Sequence, residues 1–339
     1  MKGETGSVVG FGELLLRLTP PGRKMIAQAQ SLDVEVGGAE ANVLAGLAHL
    51  GHPTMMISRV ANNPLGRLAL GTLASRGVDT RFVSYADGRM GLYFLEQGQG
   101  LRASAISYDR AGSTFASSRA EDFDFAAALD GARLLHLSGI TPALGMDSAN
   151  AVMEVAKIAR SAGIPISFDG NFRPQLWAAW DGNPKEILTE IISNADIMFG
   201  NHQDISLLTG QRFSGDGPDR RREAAQAGFD TFPNLRLIAS TARHVIDVDH
   251  HRIAARVDLP EDSAQTGEID VTGIIDRIGT GDAFAAGVLH GYLEGADVMS
   301  MARAGLGLAV LEHSLPGDMP LFSRDDLAAF ERGGRDVRR

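Results

Sequence analysis

The stretch Ala132-Arg133-Leu134-Leu135-His136-Leu137-Ser138-Gly139-Ile140 is apolar at most positions, short, and broken by a glycine near its end. Such a run reads as a strand covered on both faces. Met146–Ser161 follows it with helical periodicity, and Ile164–Phe168 is again a short, doubly apolar run. Strand, helix and strand in that order make a βαβ unit, whose strands are parallel because the helix carries the chain back to its starting edge. The rhythm continues with a helix at Pro184–Ser193 and a strand at Ala195–Phe199. Upstream, strands at Ser7–Leu18 and Thr54–Val60 flank a helix at Glu40–Leu50. The expected fold class is α/β, a doubly wound parallel sheet with helices on both faces, in a single domain over residues 1–339.

One region breaks this rhythm. Arg81–Ala86, Met90–Gln97 and Leu101–Tyr108 are closely spaced strand patterns with no room for helices between them. The links Asp87-Gly88-Arg89 and Gly98-Gln99-Gly100 have hairpin composition. A small antiparallel sheet is expected to project from the main domain, formed by inserted strands at about 24–36 and 81–110, with Gln28–Val36 joining it.

Composition excludes several classes of function. The chain has 339 residues, 44% hydrophobic and 22% charged, which is enough apolar material to exclude disorder over most of its length. Lysine plus arginine minus aspartate plus glutamate is 32 − 42 = −10, a balance that repels nucleic-acid phosphates and anionic lipid. The one short basic run is the end at Arg335, Arg338 and Arg339, so neither nucleic acid nor membrane is expected as a partner. There is no cysteine, which removes thiolate nucleophiles, disulfides and cysteine-based metal centres together. No apolar run reaches membrane-spanning length, and Met1–Ser7 lacks the blocks of a signal peptide, so a cytoplasmic location is expected. Glycine stands out at 40 residues, well above the usual ~7%.

Most familiar glycine motifs fail on inspection. Gly10-Phe11-Gly12 follows a strand but has leucine at position 15, and Gly98-x-Gly100-x-x-Ala103 runs into a strand pattern, so neither makes a dinucleotide fingerprint. The four lysines, Lys2, Lys24, Lys157 and Lys185, never follow a glycine, which excludes a Walker-type loop. No Gly-x-Ser-x-Gly elbow is present. The cluster Asp247, Asp249, His250 and His251 could ligate a metal, but it lies between strand patterns at Arg243–Val248 and Arg252–Val257 and reads better as a polar turn.

Two glycine segments carry chemistry. In Asp276-Arg277-Ile278-Gly279-Thr280-Gly281-Asp282-Ala283-Phe284-Ala285-Ala286-Gly287 a glycine-flanked turn leads into a small-residue helix. Successive backbone N–H groups at such a turn, with the positive end of the helix behind them, make a nest for anions such as phosphate. Asp282 is either an ordinary N-cap or a carboxylate poised at that nest, where it could take the proton of an alcohol during phosphoryl transfer. In Val36-Gly37-Gly38-Ala39-Glu40-Ala41-Asn42, two glycines open a helix and a polar residue lies in its first turn. That segment is either a plain strand-to-helix turn or a place where backbone and Asn42 wrap a polyol.

Together these two segments, one near the N-terminus and the other roughly 240 residues later, resemble the paired signatures of the ribokinase-like (PfkB) carbohydrate kinases. Gly91-Leu92-Tyr93, Ser107–Ser113, Leu137–Leu144 and Phe168-Asp169-Gly170-Asn171-Phe172-Arg173-Pro174-Gln175-Leu176-Trp177 are similar to the 2-keto-3-deoxygluconate kinase branch. The resemblance implies a three-layer ribokinase-like domain with a small β-sheet lid. It also implies ATP-dependent phosphorylation of the terminal hydroxyl of 2-keto-3-deoxygluconate, with ATP and Mg2+ and, in addition, K+ as cofactors. Alternatives within that class are 2-keto-3-deoxygalactonate, fructose or ribose; outside it, a non-catalytic sugar-acid binding protein. A homodimer through the lid is expected.

Carried over residue by residue, the resemblance puts the catalytic base on Asp282 and the anion hole on Gly279, Thr280 and Gly281. Thr280 stands where the family usually has alanine. Substrate contacts fall on Gly38, Ala39, Glu40, Ala41, Asn42, Tyr93, Tyr108, Arg110, Arg173 and Asp318. Arg110 and Arg173 are the residues suited to grip a sugar carboxylate, since a neutral sugar needs no cation. Nucleotide contacts fall on Asn201, Asp204, Ser240, Gly279 and Gly281. Asp204 is assigned to Mg2+ through water, because the family's Asn-x-x-Glu is here Asn201-His202-Gln203-Asp204, one methylene short. Asp276 lies at the family's monovalent-cation position. Where many relatives have a glycine-rich Lys-x-Gly-x-x-Gly loop, this chain has Ala239-Ser240-Thr241-Ala242-Arg243-His244, without glycine.

Overall fold

The computed structural model describes residues 6–333, so the arginines at 335, 338 and 339 lie outside the described residues. The N-terminal half runs β1 (Val8–Phe11), β2 (Leu15–Thr19), β3 (Asp33–Gly37), α1 (Ala39–His49), β4 (Thr54–Ala61), α2 (Pro64–Ser75), β5 (Asp79–Ala86), β6 (Gly91–Glu96), β7 (Ala105–Asp109) and α3 (Phe125–Leu129). Next come β8 (Leu134–Ser138), α4 (Met146–Ser161), β9 (Ile166–Asp169), α5 (Pro174–Trp177), α6 (Pro184–Ile192), β10 (Ile197–Phe199), α7 (His202–Thr209) and α8 (Gly217–Thr231). The chain closes with β11 (Leu237–Asp247), β12 (His250–Asp258), β13 (Ser263–Gln265), β14 (Ile269–Thr272), α9 (Thr280–Leu293), α10 (Val298–Glu312) and α11 (Arg324–Glu331). None of the described helices is long and apolar enough to cross a membrane.

The main sheet has the order β13-β12-β11-β10-β9-β8-β1-β4-β5, with β14 also pairing β12. From β11 to β5 every pairing is parallel, and the β12, β13 and β14 edge is antiparallel. Consecutive residues of each central strand feed opposite cores, as a two-residue period demands of a sheet buried on both faces. Val8, Leu134, Ile197 and Leu237 join one core, with Leu44 of α1, Val288 of α9 and Leu308 of α10. Val9, Leu135, Met198 and Ile238 join the other, with Val152 of α4, Ile191 of α6 and Phe229 of α8. The doubly wound, three-layer α/β expectation is met.

The second sheet has the order β3-β2-β6-β7. Its membership differs from the expected inserted strands in three ways. The strand pattern Ser7–Leu18 is two strands, with β1 in the main sheet and β2 in the small one. The break falls at Gly12, where the carboxylate of Glu40 lies 2.1 Å from the point a Cβ would occupy. Arg81–Ala86 belongs to β5, which pairs in parallel with β4 at the edge of the main sheet. The cause is α2, whose cap is written in Asn63-Pro64: the Asn63 side chain accepts from the N–H of Leu65 and Gly66, with proline at the first helical position. A helix there makes β4-α2-β5 another βαβ unit. Finally, the segment 24–36 contributes only β3, because Ile26–Gln28 forms a single 3-10 turn.

The segment Ala239–His244 is not a loop. It lies inside β11, which runs without interruption against β12 from Ile238↔Asp258 to Val245↔His251. The cluster at 247–251 is the polar turn of this hairpin. Asp249 pairs with Arg23 at 2.7 Å and His250 with Asp270 at 2.8 Å, so its side chains are drawn apart instead of converging on an ion.

Helices α9 and α10 press together through glycines. A Cβ on Gly287 would meet the carbonyl oxygen of Ala304 at 2.4 Å, and one on Gly305 would meet Phe284 and Val288 at 2.7 Å. Gly287→Val should force the two helices apart and cost about 1–3 kcal/mol, read as a lower urea midpoint. A midpoint equal to that of the parent chain would contradict this packing.

Candidate active site

A cavity of about 1090 Å³ opens between the small sheet and the carboxyl ends of the main-sheet strands. Open parallel sheets bind ligands there because the strand ends and helix N-termini leave backbone groups free. Its floor is the first turn of α9. Gly279 caps the helix with φ 77°, a left-handed conformation suited to glycine, and a Cβ there would lie 2.1 Å from the carbonyl oxygen of Asp318. The Ala283 N–H is the first to bond backward, to Gly279 O at 2.7 Å. The N–H groups of Thr280, Gly281 and Asp282 therefore have no backbone partner among the described residues, which is the condition for an anion nest. Gly281 faces open space, whereas the Thr280 hydroxyl donates to Arg277 O at 3.0 Å and ties the turn together.

Asp282 is not the N-cap. It is the third residue of α9, and its Oδ2 accepts from Nδ2 of Asn42 at 2.6 Å. Asn42 lies in the first turn of α1, so the two glycine segments meet at this bond. Gly38, with φ 154°, caps α1 and leaves no room for a side chain, since a Cβ would lie 2.3 Å from Glu13 O. Gly38, Ala39 and Asn42 line the cavity. Ala41 does not: it is fully buried in the core. One oxygen of the Glu40 carboxylate, Oε1, is engaged, accepting the N–H of Ser138 at 3.1 Å and the hydroxyl of Thr141 at 2.7 Å.

The small sheet walls the cavity with Tyr93 and Tyr108, which are cross-strand partners. Tyr93 donates to Asp318 Oδ2 at 2.5 Å. Arg110 is buried, and its Nε and Nη2 bond Glu13 Oε2 at 2.7 and 2.6 Å, while Ser113 donates to the other oxygen of Glu13. Part of the fork expected to grip a substrate is thus already engaged within the protein. Arg173 is different: it is exposed at the cavity and makes no ion pair among the described residues.

At the far end, Asn201 and Asp204 cap α7 reciprocally, with Gln203 N–H to Asn201 Oδ1 at 2.7 Å and Asn201 N–H to Asp204 Oδ2 at 2.8 Å. Ser240 lines the wall, and so do Arg243 of β11 and Arg277, neither of which has an ion-pair partner among the described residues. These two arginines escaped sequence reasoning, as did Glu13, Arg17 and Asp169. Isolated arginines and carboxylates carry no local signal until the fold aims them at one space. Asn171 gives a structural hint, with a positive φ of 37° that non-glycine residues rarely adopt.

Burial sets the acidity of the cavity. It pushes the Asp282 carboxyl well above the ordinary carboxylate range; Asn42 opposes that by bonding the charged form, while Asp169, Asp318 and Glu40 reinforce it. Burial likewise raises Glu40 and Asp169 to about 7, the latter helped by Asp204, and Asp318 to about 6. Burial and the neighbouring Arg277 hold Arg243 below its usual value.

Residues 6–320 match the model of the pfkB family carbohydrate kinases. The chain belongs to this family. It is 29% identical over 332 residues to a 2-dehydro-3-deoxygalactonokinase of Haloferax volcanii, covering 97% of this chain and 98% of that one. It is 27% identical over 334 residues to a 2-dehydro-3-deoxygluconokinase of Bacillus subtilis, covering 97% and 96%. The crystal structure of a 2-dehydro-3-deoxygluconokinase from Thermotoga maritima superposes with a TM-score of 0.92 at 34% identity, covering 97% of this chain and 100% of that one. The pfkB kinase fold accounts for both sheets.

As a pfkB kinase, the protein should show an acid limb in its kcat/KM profile above the range of an exposed carboxylate, about pH 4. Removing a donor to the charged form raises the pKa further, so Asn42→Ala should move that limb to higher pH. A limb that stays in place or moves down would break the link between Asn42 and Asp282.

Proposed function

We propose that this pfkB kinase transfers the γ-phosphoryl group of ATP to the terminal hydroxyl of 2-keto-3-deoxygluconate. The observation that carries the reading is the Asp282 carboxylate beside the unpartnered amides of the α9 turn, beneath the small sheet. In this reading Asp282 accepts the hydroxyl proton as the oxygen attacks, and the Gly279–Gly281 turn stabilises the charge on the moving phosphoryl. The raised pKa of Asp282 suits it to proton abstraction, because a stronger base draws the alcohol proton more readily, provided the pH keeps it ionised. The small sheet acts as a lid that excludes water, the competing acceptor.

A carboxylated sugar is favoured over a neutral one by Arg173, a cation exposed at the cavity that makes no ion pair among the described residues, although Asp169 and Asp204 lie within its field. Arg110, held by Glu13, presents its remaining donors from the lid side. The epimer 2-keto-3-deoxygalactonate is the second reading, favoured by the full-length similarity to a kinase named for it.

Nucleotide binding is proposed along Asn201, Asp204, Ser240 and the α9 turn, with Arg243 and Arg277 facing the phosphates in place of a glycine-rich loop. The residues fit a magnesium ion in one respect: Asp169 and Asp204 are partly buried carboxylates that repel each other at the cavity, a strain a dication would relieve. Both would hold it through water, and the ion would neutralise phosphate charge. Exposed Val34 on β3 and Leu101 beyond β6 support a homodimer through the lid.

A panel of both sugar acids, fructose and ribose with ATP and magnesium tests the assignment; faster turnover of a neutral sugar would overturn it. Asp282→Asn should lower kcat by about 10²–10⁴-fold with little change in sugar-acid affinity measured by calorimetry. Near-parental turnover would remove Asp282 from the mechanism. Arg173→Ala should raise KM for the sugar acid about tenfold or more without affecting a neutral analogue. An unchanged preference would refute the carboxylate grip.

A further inference from the structure

The position assigned to a monovalent cation does not fit one in this chain. Asp276 is buried, and both of its carboxylate oxygens are taken. Oδ1 accepts the N–H groups of Arg277 at 2.7 Å and Ile278 at 3.1 Å. Oδ2 accepts Nη1 of Arg17 at 2.7 Å, with the Gly317 N–H at 3.4 Å. The same Nη1 lies 3.1 Å from Asp318 Oδ1, and the Arg17 side chain is only 2% exposed. A free ion at this carboxylate would have to displace the guanidinium or sit beside it, against like charge and without a spare oxygen on Asp276.

We propose that Arg17 is a resident cation that substitutes for a monovalent ion at the Asp276 turn, so that the anion hole keeps its shape without potassium. The inference rests on the reading of Gly279–Gly281 as that hole. Arg17 comes from β2 of the lid, whereas Asp276 opens the turn three residues before Gly279. Asp318, the second partner, contributes the carbonyl on which Gly279 packs and receives the hydroxyl of Tyr93 from β6. One guanidinium therefore neutralises the carboxylates on both sides of the turn and fixes the lid strand to it. Arg17 is a positioning residue here, because it is buried and does not line the cavity.

The test uses the full chain in potassium-free buffer, with tetramethylammonium replacing potassium at equal ionic strength. Sugar-acid turnover should change by less than about twofold between the two cations, and the thermal midpoint should be the same in both. A potassium activation of about tenfold or more, or a saturable potassium-specific rise in midpoint, would overturn the proposal. Arg17→Met should lose turnover in tetramethylammonium and recover part of it specifically in potassium. A folded Met variant that is fully active without potassium, or whose loss potassium does not relieve, assigns Arg17 no such role. If Arg17→Met fails to melt cooperatively, Arg17→Lys decides: it should remain active without potassium, and a potassium requirement would refute the idea. The melting comparison needs no substrate, so it tests the resident cation even if every sugar in the panel proves inactive and the substrate reading falls.

Discussion

The buried ion pairs of Arg17 with Asp276 and Asp318 hold together the three segments on which the site depends. They join strand β2 of the small sheet, the turn that opens α9, and the chain at Gly317-Asp318. Burying such charges costs several kcal/mol each unless they are paired, and removing one partner leaves an uncompensated charge, a loss of about 3–5 kcal/mol. The geometry is correspondingly fixed. Gly37 and Gly279 are the complementary features: a Cβ on Gly37 would lie 2.1 Å from the Asp318 carboxylate, and one on Gly279 equally close to the Asp318 carbonyl. The glycines in the two signatures thus serve the protein's own close approaches as much as any ligand. Gly281 differs, since a Cβ there would meet open space.

A cavity lined by Glu40, Asp169, Asp204, Asp282 and Asp318 is at first sight a poor place for phosphates and a sugar acid. Burial resolves the conflict. It holds these carboxyls above their ordinary range, so less negative charge is present than their number suggests. The cations are distributed the opposite way. Arg17 and Arg110 are buried against carboxylates, while Arg173, Arg243 and Arg277 line the cavity without an ion pair among the described residues, Arg173 within the field of Asp169 and Asp204. The net charge of −10 is therefore no guide to the local field, which is set by which charges remain unpaired.

Much of the architecture is legible in the chain itself, because its signals are local. The periodicity of Met146–Ser161 predicts α4 with the bounds observed, and the doubly apolar runs around Leu134, Ile166 and Ile197 predict parallel central strands. The pattern of Arg81–Ala86 points to the wrong sheet because pairing partners are chosen between distant segments, and a half-buried edge strand has the same pattern in either sheet. The division of Ser7–Leu18 is hidden for the same reason, since both halves are apolar. Arg110 illustrates the limit at the site: its position near the substrate region is legible, but its engagement by Glu13, 97 residues away, is not.

By itself the sequence determined the α/β class, the family signatures and the catalytic candidate Asp282. Helical periodicity, doubly apolar strands and glycine-flanked turns are all properties of a few consecutive residues. Only the tertiary structure decided that Asp282 bonds Asn42 instead of capping its helix. It also decided that Ala41 belongs to the core, that Ala239–His244 is a strand, and that the Arg17 guanidinium bonds the Asp276 carboxylate. Each of these depends on which distant groups are brought within about 3 Å, and burial then sets the charge that each group carries.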